Sequence, residues 1–197
     1  MTGEADKAAW RARLLAARAS LSPSDLAAAA SVLRRHLLGR LDGVGRVAAY
    51  VPVGREPGSL DLLDALWGAG IEVLLPVVTG GGLDWSAYRG RDRLRPGALG
   101  TREPDGSRLG PTALAKAGAV LVPALAVDHR GNRLGRGGGY FDRALAVVPA
   151  GVAVAALLHD GELVRHLPAD PWDRRVGAAV TPAGGWTRLP VVEHHGH

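Results

Sequence analysis

Four short, almost wholly apolar runs recur along this chain: Val47 to Val51, closed by Pro52; Ile71 to Leu75, closed by Pro76; Ala119 to Val122, closed by Pro123; and Val152 to Leu158. Runs this apolar and this sharply bounded suit strands buried on both faces. The stretches between them carry a different period. Leu60, Leu63 and Leu66-Trp67 precede the second run, and Phe141, Leu145 and Val148 precede the fourth, at the spacings of helices lying on a sheet. A strand, helix, strand order with short connections predicts right-handed parallel units. The expected fold class is therefore α/β. At 197 residues it is expected to be one domain spanning 1–197, built on a three-layer, open, mainly parallel, Rossmann-like sheet with helices on both faces.

The amino-terminal third adds two helices. From Glu4 to Arg18, Trp10, Leu14, Ala17 and Leu21 fall on one face. Beside that face Lys7, Arg11 and Arg18 lie within about 40° of one another on a helical wheel. Like charges four residues apart repel by about 0.2–0.5 kcal/mol, so a basic stripe with no acidic neighbour predicts an external anion. Ser22-Pro23-Ser24-Asp25 reads as a helix start, with a Ser cap, Pro in the first turn and an acid three residues on. The apolar stripe that follows, Leu26, Ala30, Leu33, Leu37 and Leu41, reads as packing.

Between the third run and its helix lies Val127 to Arg143, with Gly135, Gly137, Gly138 and Gly139 close to the expected helix start. Glycines let backbone N–H groups approach a ligand, and the amino end of a helix favours anions. Arg133 and Arg136 add guanidinium forks that match phosphate oxygens. The spacing is neither a P-loop, since no Gly-Lys-Ser/Thr follows, nor a dinucleotide fingerprint, since Tyr140 stands where Gly or Ala is wanted. Residues alone predict a phosphate site of a third kind. A sugar-phosphate isomerase on a similar sheet, or a non-catalytic nucleotide- or RNA-binding module, would also fit that much.

This segment resembles the signature of the 5-formyltetrahydrofolate cyclo-ligase family. The matching residues are Asp128, Arg130, the run Gly131 to Gly135, Gly137, Gly139, Tyr140 and Asp142, and Lys7-Ala-Ala-Trp10-Arg11 matches the family's opening Lys-x-x-Leu-Arg. The resemblance implies that Lys7, Arg11, Arg133, Leu134, Gly135, Arg136, Gly137, Gly138, Gly139, Tyr140 and Phe141 bind ATP, with Arg136 and Tyr140 catalytic. It implies that Tyr50, Val51, Glu56 and Tyr140 contact the folate, where Glu56 would pair with the pterin's N–H donors; Trp85 could stack on the pterin. Asp142 and Asp173 are implied to hold Mg2+. The implied reaction is ATP-driven conversion of 5-formyltetrahydrofolate to 5,10-methenyltetrahydrofolate, with release of ADP and phosphate, through a phosphorylated formyl group. Departures from the family pattern are Trp10 for Leu, Ala124 for Gly, Val127 for Phe, Phe141 for Tyr and Gly177 for Asp.

Composition narrows the partners. There is no cysteine, which removes disulfides and thiolate metal sites. The net charge of +5 comes from arginines scattered from Arg11 to Arg188 without interleaved aromatics, so nucleic acid is not expected. The longest apolar stretch, Val152 to Leu158, is far short of a bilayer span, and Glu4, Asp6 and Asp25 are wrong for a transit peptide. A cytoplasmic monomer acting on a small folate is the expectation, with a disordered tail from about residue 190 that includes His194, His195 and His197.

Overall fold

The computed structural model describes residues 2–191, so most of the expected tail, including its histidines, lies outside the described residues. Its first part does not fray: the Val191 N–H donates to the His129 carbonyl at 2.8 Å.

Two long helices open the chain, α1 (Thr2–Ala19) and α2 (Pro23–Arg40). The start of α2 is the capping box that Ser22 and Asp25 encode, each side chain bonded to the other's backbone N–H. There follow β1 (Arg46–Ala48), α3 (Leu60–Gly68), β2 (Glu72–Val78), β3 (Leu83–Ala87), the hairpin β4 (Leu94–Pro96) and β5 (Arg102–Pro104), and β6 (Ala119–Pro123). The chain continues through β7 (Ala126–Asp128), β8 (Arg133–Leu134), α4 (Tyr140–Ala144), β9 (Ala153–Leu157), β10 (Leu163–Val164), β11 (Ala178–Thr181) and β12 (Gly185–Arg188).

Seven strands form one sheet in the order β12-β11-β9-β6-β1-β2-β3. The four pairings from β11 to β2 are parallel, and each edge is closed by an antiparallel hairpin partner. Alternate residues supply two cores. Val47, Val73, Leu75, Leu121, Leu157 and Val180 face the side covered by Leu33 and Leu37 of α2 and Leu62, Leu63 and Leu66 of α3. Ala48, Leu74, Val120, Val122, Ala156 and Ala179 face the other side, under Ala113, Leu114 and Leu145. Both faces are buried, which is why these strands read as unbroken apolar runs.

Three local expectations change. The helix expected from Tyr140 to Val148 is a single α turn, α4, continued as a 3-10 turn over Leu145–Val147, although Phe141, Leu145 and Val148 do pack on the core. The connection from β6 to α4 is not one loop, because β7 and β8 pair antiparallel within it and β10 joins β7 in a separate three-stranded sheet. Leu14 of α1 packs on that small sheet, with Ala126, Leu134 and Leu167.

The third change concerns the stripe on α1, which does have acidic partners, those of Lys7 and Arg18 supplied from far along the chain. Lys7 Nζ donates to Asp170 and Asp173 at 2.6 and 2.7 Å. Arg18 forms a two-pronged, buried pair with Glu162 at 2.7 and 2.8 Å. Arg11 pairs with Glu4 at 2.7 Å. Neighbour rules along one helix cannot see Glu162, Asp170 and Asp173; only Glu4, two turns before Arg11, lies on the same helix.

Candidate active-site cleft

Strand β1 has β2 on one side and β6 on the other, so the chain reverses its direction of sheet growth there. Such a switch leaves a crevice beyond the carboxyl ends of the strands. A cleft of about 890 Å³ lies there, lined by Tyr50 and Val51 after β1, Val78 at the end of β2, and Pro123 and Ala124 after β6.

One wall is the glycine-rich turn from Gly135 to Gly139. Its shape demands glycine at two points. Gly137 has φ +104° and Gly139 has φ +64°, and a Cβ on either would also meet a guanidinium, of Arg11 or of Arg143. Arg11 Nε donates to the Gly135 carbonyl at 3.1 Å, so α1 holds the turn from outside. Arg136 projects into the cleft half-exposed, whereas Arg133 is almost wholly buried, with one nitrogen on Asp142 at 2.8 Å and another on the Pro123 carbonyl at 3.2 Å. Read from sequence as a second phosphate fork, Arg133 here ties the turn to the first residues of α4.

The opposite wall is the loop after β1. Glu56 lies deep in it, its Oε2 accepting from the Val53 N–H at 2.9 Å and its Oε1 from Arg136 Nε at 3.0 Å. The expected folate carboxylate and the expected nucleotide arginine thus meet across the cleft. Tyr50 is buried, its hydroxyl donating to the Pro57 carbonyl at 2.6 Å. Burial, reinforced by the negative charge of Glu56, pushes the Tyr50 phenol well above its ordinary range, so it serves as a neutral donor.

The third side comes from the carboxyl-terminal segment, Asp170 to Arg174. Burial works against the charge on Lys7, but its bonds to Asp170 and Asp173 and their charges outweigh that and raise its pKa. The Arg174 N–H reaches Asp142 Oδ1 at 3.4 Å, which sets the Asp173 end of this segment against α4. Among the described residues no three His, Asp or Glu side chains gather into a ready-made cage. Asp142 and Asp173, both on the cleft, are hard oxygen donors suited to a magnesium ion that completes its shell with phosphate oxygens and water.

One expectation is corrected. Trp85 does not face the cleft: it is fully buried among Leu74, Leu83 and Leu114, because β3 presents that face of its alternation to the core. His159, on the same sheet edge, lies behind the wall, with its ring on the Arg55 carbonyl at 3.0 Å. Asp128 and Asn132 of the signature also stay out of the cleft. Asp128 is fully buried and accepts from the backbone of Arg130 and Asn132, each at 2.9 Å, and of Leu167 at 3.2 Å, closing the β7–β8 turn.

Sequence reasoning missed the rim formed by Leu99, Thr101 and Arg102 of the β4–β5 hairpin, and by Asp170, Trp172 and Arg174. The hairpin gave no strand signal because its residues are mostly charged, Pro or Gly. The Asp170-Pro171-Trp172-Asp173 run carried turn chemistry that could have marked it.

The 5-formyltetrahydrofolate cyclo-ligase family model matches residues 3–182. The chain belongs to this family. The cyclo-ligase of Mycolicibacterium smegmatis is 40% identical over 194 residues, covering 93% of this chain and 97% of the relative. That of Escherichia coli strain K12 is 33% identical over 149 residues, 71% of this chain and 79% of the relative. The solved 5,10-methenyltetrahydrofolate synthetase of Aquifex aeolicus superposes with a TM-score of 0.74 at 29% identity, covering 97% of this chain and 98% of that one. The mainly parallel α/β sheet is thus the cyclo-ligase fold, and the chain is an enzyme of folate one-carbon metabolism. No helix among the described residues is long and apolar enough to cross a membrane.

Proposed function

We propose that this cyclo-ligase converts 5-formyltetrahydrofolate to 5,10-methenyltetrahydrofolate at the expense of ATP, with Mg2+, in the cleft at the carboxyl edge of the sheet. The observation that carries the reading is the 3.0 Å contact between Arg136 and Glu56. It brings the anion-binding turn and the folate-side carboxylate within one ligand's reach of each other, as transfer between two bound substrates requires.

In this reading the turn amides of Gly137 to Gly139, with Lys7, Arg11 and Arg136, hold the triphosphate, and Tyr50, Val51, Glu56 and Tyr140 hold the folate. The formyl oxygen attacks the γ-phosphorus: an O–P bond forms, the bridging P–O bond breaks and ADP leaves. The nitrogen at position 10 then attacks the activated formyl carbon, a C–N bond forms, and the C–O bond breaks to release phosphate while that nitrogen's proton passes to solvent. Negative charge develops on the transferring phosphoryl group. Arg136, half-exposed and tethered to Glu56 at 3.0 Å, is the group placed to meet it. Asp142 and Asp173 would hold the magnesium, which supplies charge neutralisation at the phosphates. On this reading the enzyme acts as a monomer in the cytoplasm.

The test is turnover: purified protein with 5-formyltetrahydrofolate and MgATP, following the near-ultraviolet absorbance of the methenyl product. Product is expected only when ATP and Mg2+ are both present and is expected to be lost in Arg136→Ala. A folded protein that binds ATP yet yields no product would reject this substrate.

A further inference from the structure

Of the five tryptophans, four pack against a ring, a guanidinium or the core. Trp10 lies under the Arg13 guanidinium at 3.8 Å, Trp186 under that of Arg40 at 4.9 Å, Trp67 makes an edge contact with Tyr88, and Trp85 is in the core. Trp172 is different. Its side chain is 73% exposed, more than any other large apolar side chain among the described residues, and it stands on the wall of the cleft.

Nor is it a loosely held side chain on a slack loop. The Asp173 N–H donates to the Asp170 carbonyl at 3.1 Å, closing a four-residue turn with Pro171 and Trp172 at its tip. Asp173 Oδ2 accepts the Asp170 N–H at 2.8 Å, and both carboxylates are pinned from beneath by Lys7. Pro171 fixes one dihedral and the lysine fixes the base of the turn, so a largely uncovered indole is carried on the cleft wall by a fixed backbone. A bare aromatic face on a fixed turn beside an anion cradle is suited to a flat ring that belongs to an anion.

We propose that Trp172 is the stacking platform for the purine base of the nucleotide. This rests on the ATP reading given above. The choice of the base over the folate rings follows from the turn itself. Its carboxylates bind Lys7 and its next residue, Arg174, reaches Asp142, so the turn belongs to the phosphate end, while Tyr50, Val51 and Glu56 approach from β1. With the phosphates on the glycine-rich turn, the base extends outward to the exposed rim. A platform reads the face of a ring and not its edge, so adenine and guanine nucleotides would gain from it alike.

The test measures, by calorimetry with Mg2+, the binding of a non-hydrolysable ATP analogue, of its guanine counterpart and of inorganic tripolyphosphate to the wild type, Trp172→Ala and Trp172→Phe. Trp172→Ala is expected to weaken both nucleotides by about 10- to 100-fold, while tripolyphosphate stays within about twofold. Trp172→Phe is expected to restore most of the loss. Equal weakening of nucleotide and tripolyphosphate would overturn the proposal, since the residue would then merely support Lys7 and the turn. Unchanged nucleotide binding with weakened 5-formyltetrahydrofolate binding would overturn it in favour of the folate rings. A wild type that binds tripolyphosphate but gains nothing from a base would overturn it and leave the phosphate cradle standing. One that binds neither would remove the ATP reading, and the platform with it.

Discussion

Glu56→Gln should make the enzyme bind nucleotide more tightly, although in the proposed reading Glu56 holds the folate. In the ligand-free protein Arg136 spends its charge on Glu56 at 3.0 Å, so a triphosphate must first take the arginine away. Glu56 is almost buried but Arg136 is half-exposed, and a pair with one solvated partner contributes about 0.2–1 kcal/mol. Releasing that hold strengthens nucleotide binding by about 1.5- to 5-fold. Glutamine keeps an oxygen for the Val53 N–H, so the loop stays in place. The effect on folate has the opposite sign, because pterin N–H groups lose a charged acceptor worth about 1.5–3 kcal/mol, a drop of at least tenfold. Calorimetric titration with a non-hydrolysable ATP analogue and, separately, with 5-formyltetrahydrofolate reads both. Repeating the nucleotide titration in an Arg136→Ala background isolates the pair, since there Glu56→Gln should change nothing. Unchanged or weaker nucleotide binding in the single variant, or a gain that persists without Arg136, would refute the reasoning.

Three further outcomes follow from the packing. Arg18→Met leaves Glu162 charged and buried without its partner, and should cost about 3–5 kcal/mol, read as a lower urea midpoint at constant slope; a loss under about 1 kcal/mol would mean the pair is not buried in solution. Trp85→Ala should cost about 3–5 kcal/mol as a core cavity and leave folate affinity in the residual folded protein unchanged, the reverse of what a substrate contact would give. Stability should also fall in alkali. Lys7 has its pKa raised above 10.5, so its contribution is complete below that value and is lost as pH rises through the raised one. Tyr50, raised above 10.0, stays protonated in the fold while the unfolded chain ionises, which lowers stability over the same range. Urea midpoints measured from neutral pH upward should hold steady with respect to these two groups until about pH 10 and drop above it, and Tyr50→Phe should blunt the drop.

The central strands were legible because they are buried on both faces and so read as almost unbroken apolar runs, with Arg46 and Glu72 polar only where β1 and β2 begin. β6 (Ala119–Pro123) coincides with the third apolar run and its closing proline, whereas the switch point at β1, which brings Glu56 and Arg136 to one cleft, shows only in the strand order. What escaped was of two kinds. Lys7 and its carboxylates are 163 and 166 residues apart, and local rules for a helix face contain no term for such partners. Trp85 shows the other kind: on an edge strand, an alternating pattern cannot tell which face meets the core. The signature held a third lesson, because it is two devices in one stretch. Its second half, Gly135 to Asp142, lines the cleft. Its first half closes the β7–β8 turn through Asp128 and then holds the carboxyl-terminal segment. The Val176 N–H donates to the Gly131 carbonyl at 2.9 Å, and Arg175 Nε donates to Asn132 at 3.1 Å. A Cβ on Gly131 would fall 2.5 Å from the Val176 carbonyl oxygen, so this position excludes every larger residue for a reason unrelated to phosphate. The segment clamped there carries Asp173 and Trp172. Residues of the signature that never reach the cleft therefore still set its third wall.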